Sequence, residues 1–173
     1  MRIFLCLIGI ALLSSCRAVY VEYDYDMKIN FDSYATYNYN FIEGNDWSEF
    51  DQRRYLKYTD SVLQSKGLQV AESPDFWITT TAKSYEGSSR NTLGLGIGGG
   101  GGAVGVSVGG GIPIGVREEH LELTIDFYDS ETKQYVWQAY SESSQKLNVT
   151  PSERASYFEK IISKIYSKFP PKK

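Results

Sequence analysis

The stretch VREEHLELTIDFY, residues Val116 to Tyr128, shows the cleanest alternation of apolar and polar residues in the chain. Its alternate apolar positions are Leu121, Leu123, Ile125 and Phe127. Because successive side chains of a strand point to opposite faces, this pattern predicts a strand with one buried and one polar face. The DSETKQ segment that follows has the length of a hairpin turn, and a partner strand from Tyr135 to about Ser143 contains Trp137.

The part of the chain before this hairpin predicts three further strands and a helix. The segments VYVEYDYD (Val19–Asp26) and YATYNYNF (Tyr34–Phe41) alternate with period two, and a third strand is predicted from Phe76 to Tyr85. Between the second and third strands, an apolar stripe at helical spacing predicts a helix that ends at Gly67. Asp46 and Glu49 have the spacing of a capping box at its start.

A second helix is predicted at the C-terminal end. Thr150-Pro151-Ser152-Glu153 combines an N-cap threonine, a proline at the first helical position and a glutamate that completes a capping box. The apolar residues that follow at helical spacing are Ala155, Phe158, Ile161, Ile162, Ile165 and Phe169. The predicted order is β-β-α-β-β-β-α. It indicates a two-layer α+β domain in which two helices cover one face of a mainly antiparallel five-stranded sheet.

Short segments in a fixed order also carry a family resemblance. They are Tyr23–Asp26 (YDYD), Phe31–Tyr34, Thr36-Tyr37, Pro74-Asp75, Val116–Glu118, Val136-Trp137 and Phe169–Pro171. In this order the chain resembles the bacterial lipoproteins grouped as domain of unknown function 4136. The resemblance extends over nearly all of the chain after residue 15 and implies an envelope lipoprotein. It implies no activity, cofactor or catalytic residue, because that family has none established.

The N-terminal residues predict a lipoprotein signal. Arg2 precedes the apolar run Ile3–Leu13, which is too short to span a bilayer as a helix and has the length of a signal-peptide core. Ser14 and Ser15 then lead directly to Cys16. We expect residues 1–15 to be removed and residues 16–173 to form one domain with a diacylated Cys16. The alternative is an ordinary secretory signal with a cysteine near the cut by chance.

The cysteines and charges bear on location and partners. Cys6 lies in the predicted leader, so the mature domain keeps only Cys16 and cannot form an internal disulfide. Two acyl chains suffice for stable anchoring, and Arg17 after the cysteine, rather than an aspartate, favours the outer membrane, with the domain facing the periplasm. The formal net charge of −3, without a basic cluster, argues against nucleic-acid binding.

A glycine-rich insert lies between the predicted third and fourth strands. Residues Asn91–Gly115 hold 12 of the 16 glycines, and neither a Lys-Ser/Thr pair nor a helix start follows, which excludes a phosphate loop. The insert is either a mobile connector or a hairpin with an aliphatic face for the membrane or an envelope protein. The residues of that face are Leu93, Leu95, Ile97, Val104, Val106, Val108, Ile112 and Ile114.

Few residues point to chemistry. His120 is the single histidine and lies among glutamates on a predicted strand, so no catalytic triad or zinc ligand set is expected. The neighbouring carboxylates Asp24 and Asp26, or Glu118 and Glu119, are typical of a solvated strand surface. Two interpretations are open for the large aromatic residues Trp77, Trp137 and the tyrosines. They line a pocket, or they pack in the core or on the sheet surface.

We therefore predict no catalytic residue, no metal site and no cofactor. The expected function is that of a membrane-anchored, non-enzymatic binding or assembly module of the cell envelope, for which an envelope protein is a candidate partner. The alternative is a periplasmic carrier or sensor of a lipid or another small apolar ligand, held between the sheet and the helices.

Overall fold

The structure, a computed structural model, describes residues 19–43, 47–88 and 117–172 of the chain. Its strands and helices are β1 (Tyr20–Tyr25), β2 (Thr36–Glu43), α1 (Glu49–Ser65), β3 (Gln69–Val70), β4 (Phe76–Ser88), β5 (Arg117–Asp129), β6 (Tyr135–Lys146) and α2 (Pro151–Tyr166). A short 3-10 helix, Phe31–Ser33, precedes β2. The glycine-rich insert and the N-terminal leader lie outside the described residues.

The strands form one sheet in the order β1-β6-β5-β4-β2-β3. The α+β class is confirmed, but the expected five-stranded sheet is wrong, because the described residues form a mixed sheet of six strands. β2 pairs in parallel with both β3 and β4, since helix α1 carries the chain back to the same end of the sheet before the next strand begins. Strand β3 has only two residues, and both are exposed. The sequence therefore shows no alternation of apolar and polar residues that would predict this strand.

The long hairpin of β5 and β6 is paired from Glu118 opposite Lys146 to Tyr128 opposite Tyr135. β4 pairs with β5 along its whole length, from Phe76 opposite Asp129 to Ser88 opposite Arg117. The predicted alternation of β5 is confirmed, because its apolar positions are fully buried and the polar positions between them are half-buried.

Both helices pack on one face of this sheet, as expected. The Tyr55 hydroxyl of α1 lies 2.6 Å from the Thr80 Oγ1 of β4, and α2 buries its apolar stripe over β5 and β6. The core between the two layers is strongly aromatic. Its members with ring contacts include Phe76, Phe127, Phe158, Trp137, Tyr166 and Phe169.

The ends of the helices follow the sequence in part. Helix α1 is capped by Ser48, whose Oγ accepts a hydrogen bond from the Asp51 amide, so the predicted Asp46–Glu49 capping box is wrong. A serine directly before the first helical residue satisfies that amide itself. Gly67 ends the helix with a φ of +90°, a conformation that glycine adopts without strain.

The capping box of α2 is confirmed. The Thr150 amide donates to Glu153 Oε2 at 2.7 Å, and the Glu153 amide donates back to Thr150 Oγ1 at 3.3 Å. The helix ends at Tyr166, so Phe169 lies beyond it and not on its stripe, although its ring still packs in the core. Among the described residues, neither helix is long and apolar enough to cross a membrane.

Candidate binding cleft on the open sheet face

The sheet has a second face, which we call the open face, on the side away from the two helices. Strand alternation places Trp77, Thr79 and Tyr85 of β4 on it, next to the even-numbered residues of β5 from His120 to Tyr128. No described helix or strand packs over this face. The side chains of β4 and β5 that point away from the core therefore lie side by side on the open face.

A cleft lies on the open face beside the β5–β6 turn, and we call it the aromatic cleft. Its volume is about 510 Å³, within the range of small-molecule sites. The lining residues are Asn40, Trp77, Thr79, Tyr128, Asp129, Lys133 and Tyr135. Pairing between strands accounts for its aromatic wall, because Trp77 lies opposite Tyr128 and Tyr128 lies opposite Tyr135. The rings of Tyr128 and Tyr135 are 3.9 Å apart between centroids.

The Asp129 carboxylate holds the turn that forms one wall of this cleft. Oδ1 accepts hydrogen bonds from the Glu131 amide, the Thr132 amide and the Thr132 hydroxyl at 2.6 to 3.0 Å. Oδ2 accepts from the Tyr34 hydroxyl at 2.7 Å. Burial alone would raise the pKa of Asp129, but these hydrogen bonds outweigh it and hold the pKa below its ordinary value. Asp129 is thus an ionised structural group.

Polar groups that remain available also line the aromatic cleft. Within the described part of the chain, the side chains of Asn40, Thr79 and Lys133 make no hydrogen bond. Lys133 is held in the left-handed region, with a φ of 58°, by the turn around Asp129. These groups supply an amide, a hydroxyl and an ammonium beside the aromatic rings, so the cleft offers donors and acceptors as well as flat apolar surface.

Tyr135 is the most exposed aromatic residue of the cleft, with 57% of its surface accessible. Its hydrogen-bonding interaction with Tyr128 raises the pKa of Tyr135 to about 12. Its hydroxyl is therefore protonated at neutral pH, and the hydroxyl oxygen can accept a hydrogen bond from a ligand. A tyrosine with this exposure is a typical contact residue of a binding surface.

A second cleft of about 380 Å³ begins on the other side of Tyr135. Its lining residues are Asp24, Tyr25, Asp26, Tyr135, Val136, Trp137 and Gln138. Nearby, Gln138 donates to Asp126 at 2.6 Å, while burial raises the pKa of Asp126. The two clefts share Tyr135 as a lining residue, and their other lining residues come from β2, β4, β5, β6 and the end of β1.

The opposite end of the open face contains His120. Its ring stacks on Tyr85 with 5.1 Å between centroids and 6° between planes. Gly87 lies beside it, and a Cβ there would be 2.7 Å from His120 Nε2. His120 is therefore a half-buried packing residue in a smaller cleft of about 200 Å³. Among residues 19–43, 47–88 and 117–172, no group of three or more His, Cys, Asp or Glu side chains could hold a metal ion.

The residues singled out from the sequence fall into different places. Cys16 and the eight aliphatic residues of the insert lie outside the described residues, so their lipidation and contact roles stay predictions. Glu118 and Glu119 point to opposite faces, and Glu119 accepts hydrogen bonds from Arg154 and Ser84. Of the two tryptophans, Trp137 is buried in the core and Trp77 lines the aromatic cleft.

Sequence reasoning did not assemble this cleft, although a signal for it exists. Trp77 and Tyr128 occupy positions that alternation assigns to the polar face of their strands. Large aromatic residues at such positions expose apolar surface to water, and a cluster of them indicates a surface that contacts a ligand or another molecule. Their pairing, however, depends on the register of β4 with β5, which no local pattern specifies.

Comparisons with known proteins agree with the fold. Residues 21–171 match a family described as domain of unknown function (DUF4136). None of the curated proteins matches the chain. The crystal structure of a PDZ domain protein from Parabacteroides distasonis is similar at 15% identity and a TM-score of 0.53, over 97% of this chain and 40% of that one. The chain thus spans less than half the length of that protein, and the likeness concerns the fold alone.

Two further solved structures are similar to this chain at lower scores. A DUF4136 family protein from Bacteroides thetaiotaomicron is 15% identical, with a TM-score of 0.45 over 88% of this chain and 96% of that one. The PelC dodecamer from Paraburkholderia phytofirmans is 10% identical, with a TM-score of 0.49 over 86% of this chain and 98% of that one.

Proposed function

Since the chain belongs to the family described as domain of unknown function (DUF4136), we propose that it is a non-enzymatic binding module of the cell envelope. In this proposal it is a lipoprotein of the outer membrane that faces the periplasm. Cys16 holds the domain at the membrane, and the open face of the sheet binds a ligand. The single observation that carries the binding role is the aromatic cleft, which collects Trp77, Tyr128 and Tyr135 on the face opposite the core.

The carboxylates nearest the cleft support binding over catalysis. Asp129 accepts four hydrogen bonds that hold the turn, and Asp126 accepts one from Gln138. A general acid or base needs a titratable group that can reach the ligand with a pKa near the working pH. The groups that line the cleft serve better as fixed walls and hydrogen-bonding partners.

The tether holds the domain close to the membrane. At a maximum of about 3.5 Å per residue, the stretch from Cys16 to Tyr20 reaches at most about 14 Å. β1 begins at Tyr20, which lines the smaller cleft beside His120, and its other end at Tyr25 lines the second cleft. A domain held this way meets ligands within the periplasmic layer next to the lipid.

The alternative of a carrier with an apolar ligand between sheet and helices has less support. Phe76, Phe127 and Trp137 fill that space, and the rings of Phe76 and Phe127 are 4.6 Å apart. The contact of the glycine-rich insert with lipid or an envelope protein remains a separate proposal. It is tested by deleting residues 94–111 and measuring association with membranes.

Lipidation is tested with two matched cysteine variants. Cells that express the wild type, Cys16→Ser or Cys6→Ser are fed an alkyne fatty acid, and the labelled protein is measured in isolated outer and inner membranes. We expect label and outer-membrane location in the wild type and in Cys6→Ser, and neither in Cys16→Ser. Label that persists in Cys16→Ser would overturn the tether.

Occupancy of the cleft is tested in intact cells with a photo-crosslinking amino acid at position 135 or at position 85. Tyr85 is the matched control, because it is a tyrosine on the same face with a similar exposure of 51%. A crosslinked adduct from position 135 that is absent from position 85 supports the binding role. Equal adducts from both positions, or none from either, would contradict it.

A further inference from the structure

We infer that the aromatic cleft binds a neutral saccharide chain. This inference rests on the proposed binding function and adds the chemical class of the ligand. Three properties of the described residues carry it: the combination of flat aromatic rings with available polar groups, the charges that line the cleft, and a second cleft that shares Tyr135 with it.

The first property is the lining itself. A sugar ring presents C–H bonds on its faces and hydroxyl groups around its rim, so it packs on an aromatic ring and hydrogen-bonds sideways. Trp77 and Tyr135 supply aromatic rings, while Asn40, Thr79 and Lys133 supply polar groups that no described residue engages. An apolar ligand would leave those polar groups without partners on binding, which is costly.

The second property is charge. Four aspartates, Asp24, Asp26, Asp126 and Asp129, lie in or beside the two clefts, and Lys133 is the single cation among the residues that line them. An anionic ligand would meet a repulsive potential there. The aromatic cleft itself is lined by one aspartate and one lysine, Asp129 and Lys133, whose formal charges cancel. An uncharged ligand therefore needs no charged partner in this cleft.

The third property is the second cleft. Both clefts are lined by Tyr135, and the step from β4 to β1 is about 14 Å at the usual strand spacing. A linear chain of several rings can occupy both clefts past Tyr135, whereas one compact molecule fills only one of them. Because Tyr135 lines both clefts, its ring contacts a ligand in either one.

The test uses the full chain purified in a detergent without a sugar headgroup, so that the detergent does not compete. Tryptophan fluorescence is followed during titration with cellohexaose, chitohexaose and maltohexaose as neutral probes, with oligogalacturonate as an anionic probe and hexalysine as a cationic one. We expect a saturable change with at least one neutral hexasaccharide and none with the two charged probes.

Two tyrosine variants locate the binding. Tyr135→Ala is expected to weaken binding of that hexasaccharide by about tenfold or more, as for an aromatic hot spot. Tyr85→Ala, at the other end of the same face, is expected to stay within about twofold of the wild type. Tyr135→Phe keeps the ring and is expected to retain most of the affinity, which separates a lost contact from a misfolded variant.

The titration and the crosslinking experiment together distinguish a failure of the saccharide inference from a failure of the proposed binding role. Binding of hexalysine without any hexasaccharide would overturn the saccharide class in favour of a cationic peptide. No binding of any probe, with a specific crosslink from position 135 in cells, would overturn the saccharide inference and leave the binding role standing. An equal loss in Tyr85→Ala and Tyr135→Ala would overturn the location, and no binding together with no crosslink would overturn both proposals.

Discussion

Arg154 Nη2 of helix α2 lies 2.7 Å from Asp51 Oδ2 of helix α1, and this ion pair joins the two helices over the sheet. Arg154 also donates to Glu119 of β5, so one guanidinium connects three elements. Arg54 adds a second cation at 2.6 Å from Asp51 Oδ1. The side chains of Arg154 and Asp51 are only 14% and 9% exposed, so water screens the pair weakly.

Replacing Arg154 by methionine is therefore expected to lower the free energy of unfolding by about 3 kcal/mol, because it leaves two largely buried carboxylates with fewer partners. The measurement is urea denaturation at pH 7. Arg53→Met is the matched control, since its ion pair with Glu49 on the same helix is exposed, and its expected cost is below about 0.5 kcal/mol. Equal costs for the two variants would contradict a structural role for the Arg154 contacts.

The same contacts predict a pH dependence of stability. Burial alone would raise the pKa of Asp51 and of Glu119, but the hydrogen bonds and charge of Arg154 outweigh it and lower both. A carboxylate with a lower pKa in the folded state stabilises above its unfolded pKa, near 4, and loses that contribution as the pH falls through the folded value.

We expect the free energy of unfolding to decrease below about pH 4 in the wild type, and to decrease less steeply in Arg154→Met. Urea denaturation between pH 7 and pH 2.5 measures both slopes. Some slope remains in the variant, because hydrogen bonds also lower the pKa of Asp75 and Asp129. Parallel curves for the two proteins would show that Arg154 does not hold these pKa values down.

Phe169 lies outside any helix or strand, yet we expect its replacement to destabilise the domain strongly. Its ring is 3% exposed and contacts the rings of Phe31, Phe127 and Trp137 at centroid distances of 4.9 to 5.7 Å. Phe169→Ala is expected to destabilise the domain by about 3 to 5 kcal/mol through a cavity in the core. The matched control is Phe50→Ala, since Phe50 is 67% exposed, and a midpoint of thermal unfolding close to the wild type is expected for it.

The Asp75 carboxylate of the Pro74-Asp75 motif anchors the start of β2. A single oxygen, Oδ2, accepts hydrogen bonds from the Ala35 amide, the Thr36 amide and the Thr36 hydroxyl, each at 2.8 Å. This fixes the start of β2 against the start of β4. Asp75→Ala is expected to lower the free energy of unfolding by about 2 kcal/mol, because charge-assisted hydrogen bonds are lost.

Asp32→Ala serves as the control for Asp75, since Asp32 is an exposed aspartate in the 3-10 helix just before β2. Hydrogen exchange of the Ala35 and Thr36 amides adds a local readout. Faster exchange at these two amides in Asp75→Ala, with slow exchange kept in Asp32→Ala, is expected. Unchanged exchange in Asp75→Ala would rule out this anchoring role.

The parts of the fold that the sequence predicts are those with a local cause. The alternation in β5, the hairpin turn and the capping box of α2 each depend on residues within a few positions of one another, and each is present in the structure. The two-layer α+β class follows from the order of such elements. The short β3 and the parallel pairing of β2 have no local signal, because they depend on where α1 returns the chain.

Two tryptophans show the same difference between what local sequence predicts and what the fold specifies. Trp77 and Trp137 both lie in alternating strands, so the sequence pattern assigns each of them to one of two faces without saying which face is covered. The packing of the helices buries Trp137 and leaves Trp77 in the aromatic cleft. Strand periodicity depends on residues next to each other in the chain, whereas the covered face depends on contacts between distant segments, such as Arg154 with Asp51.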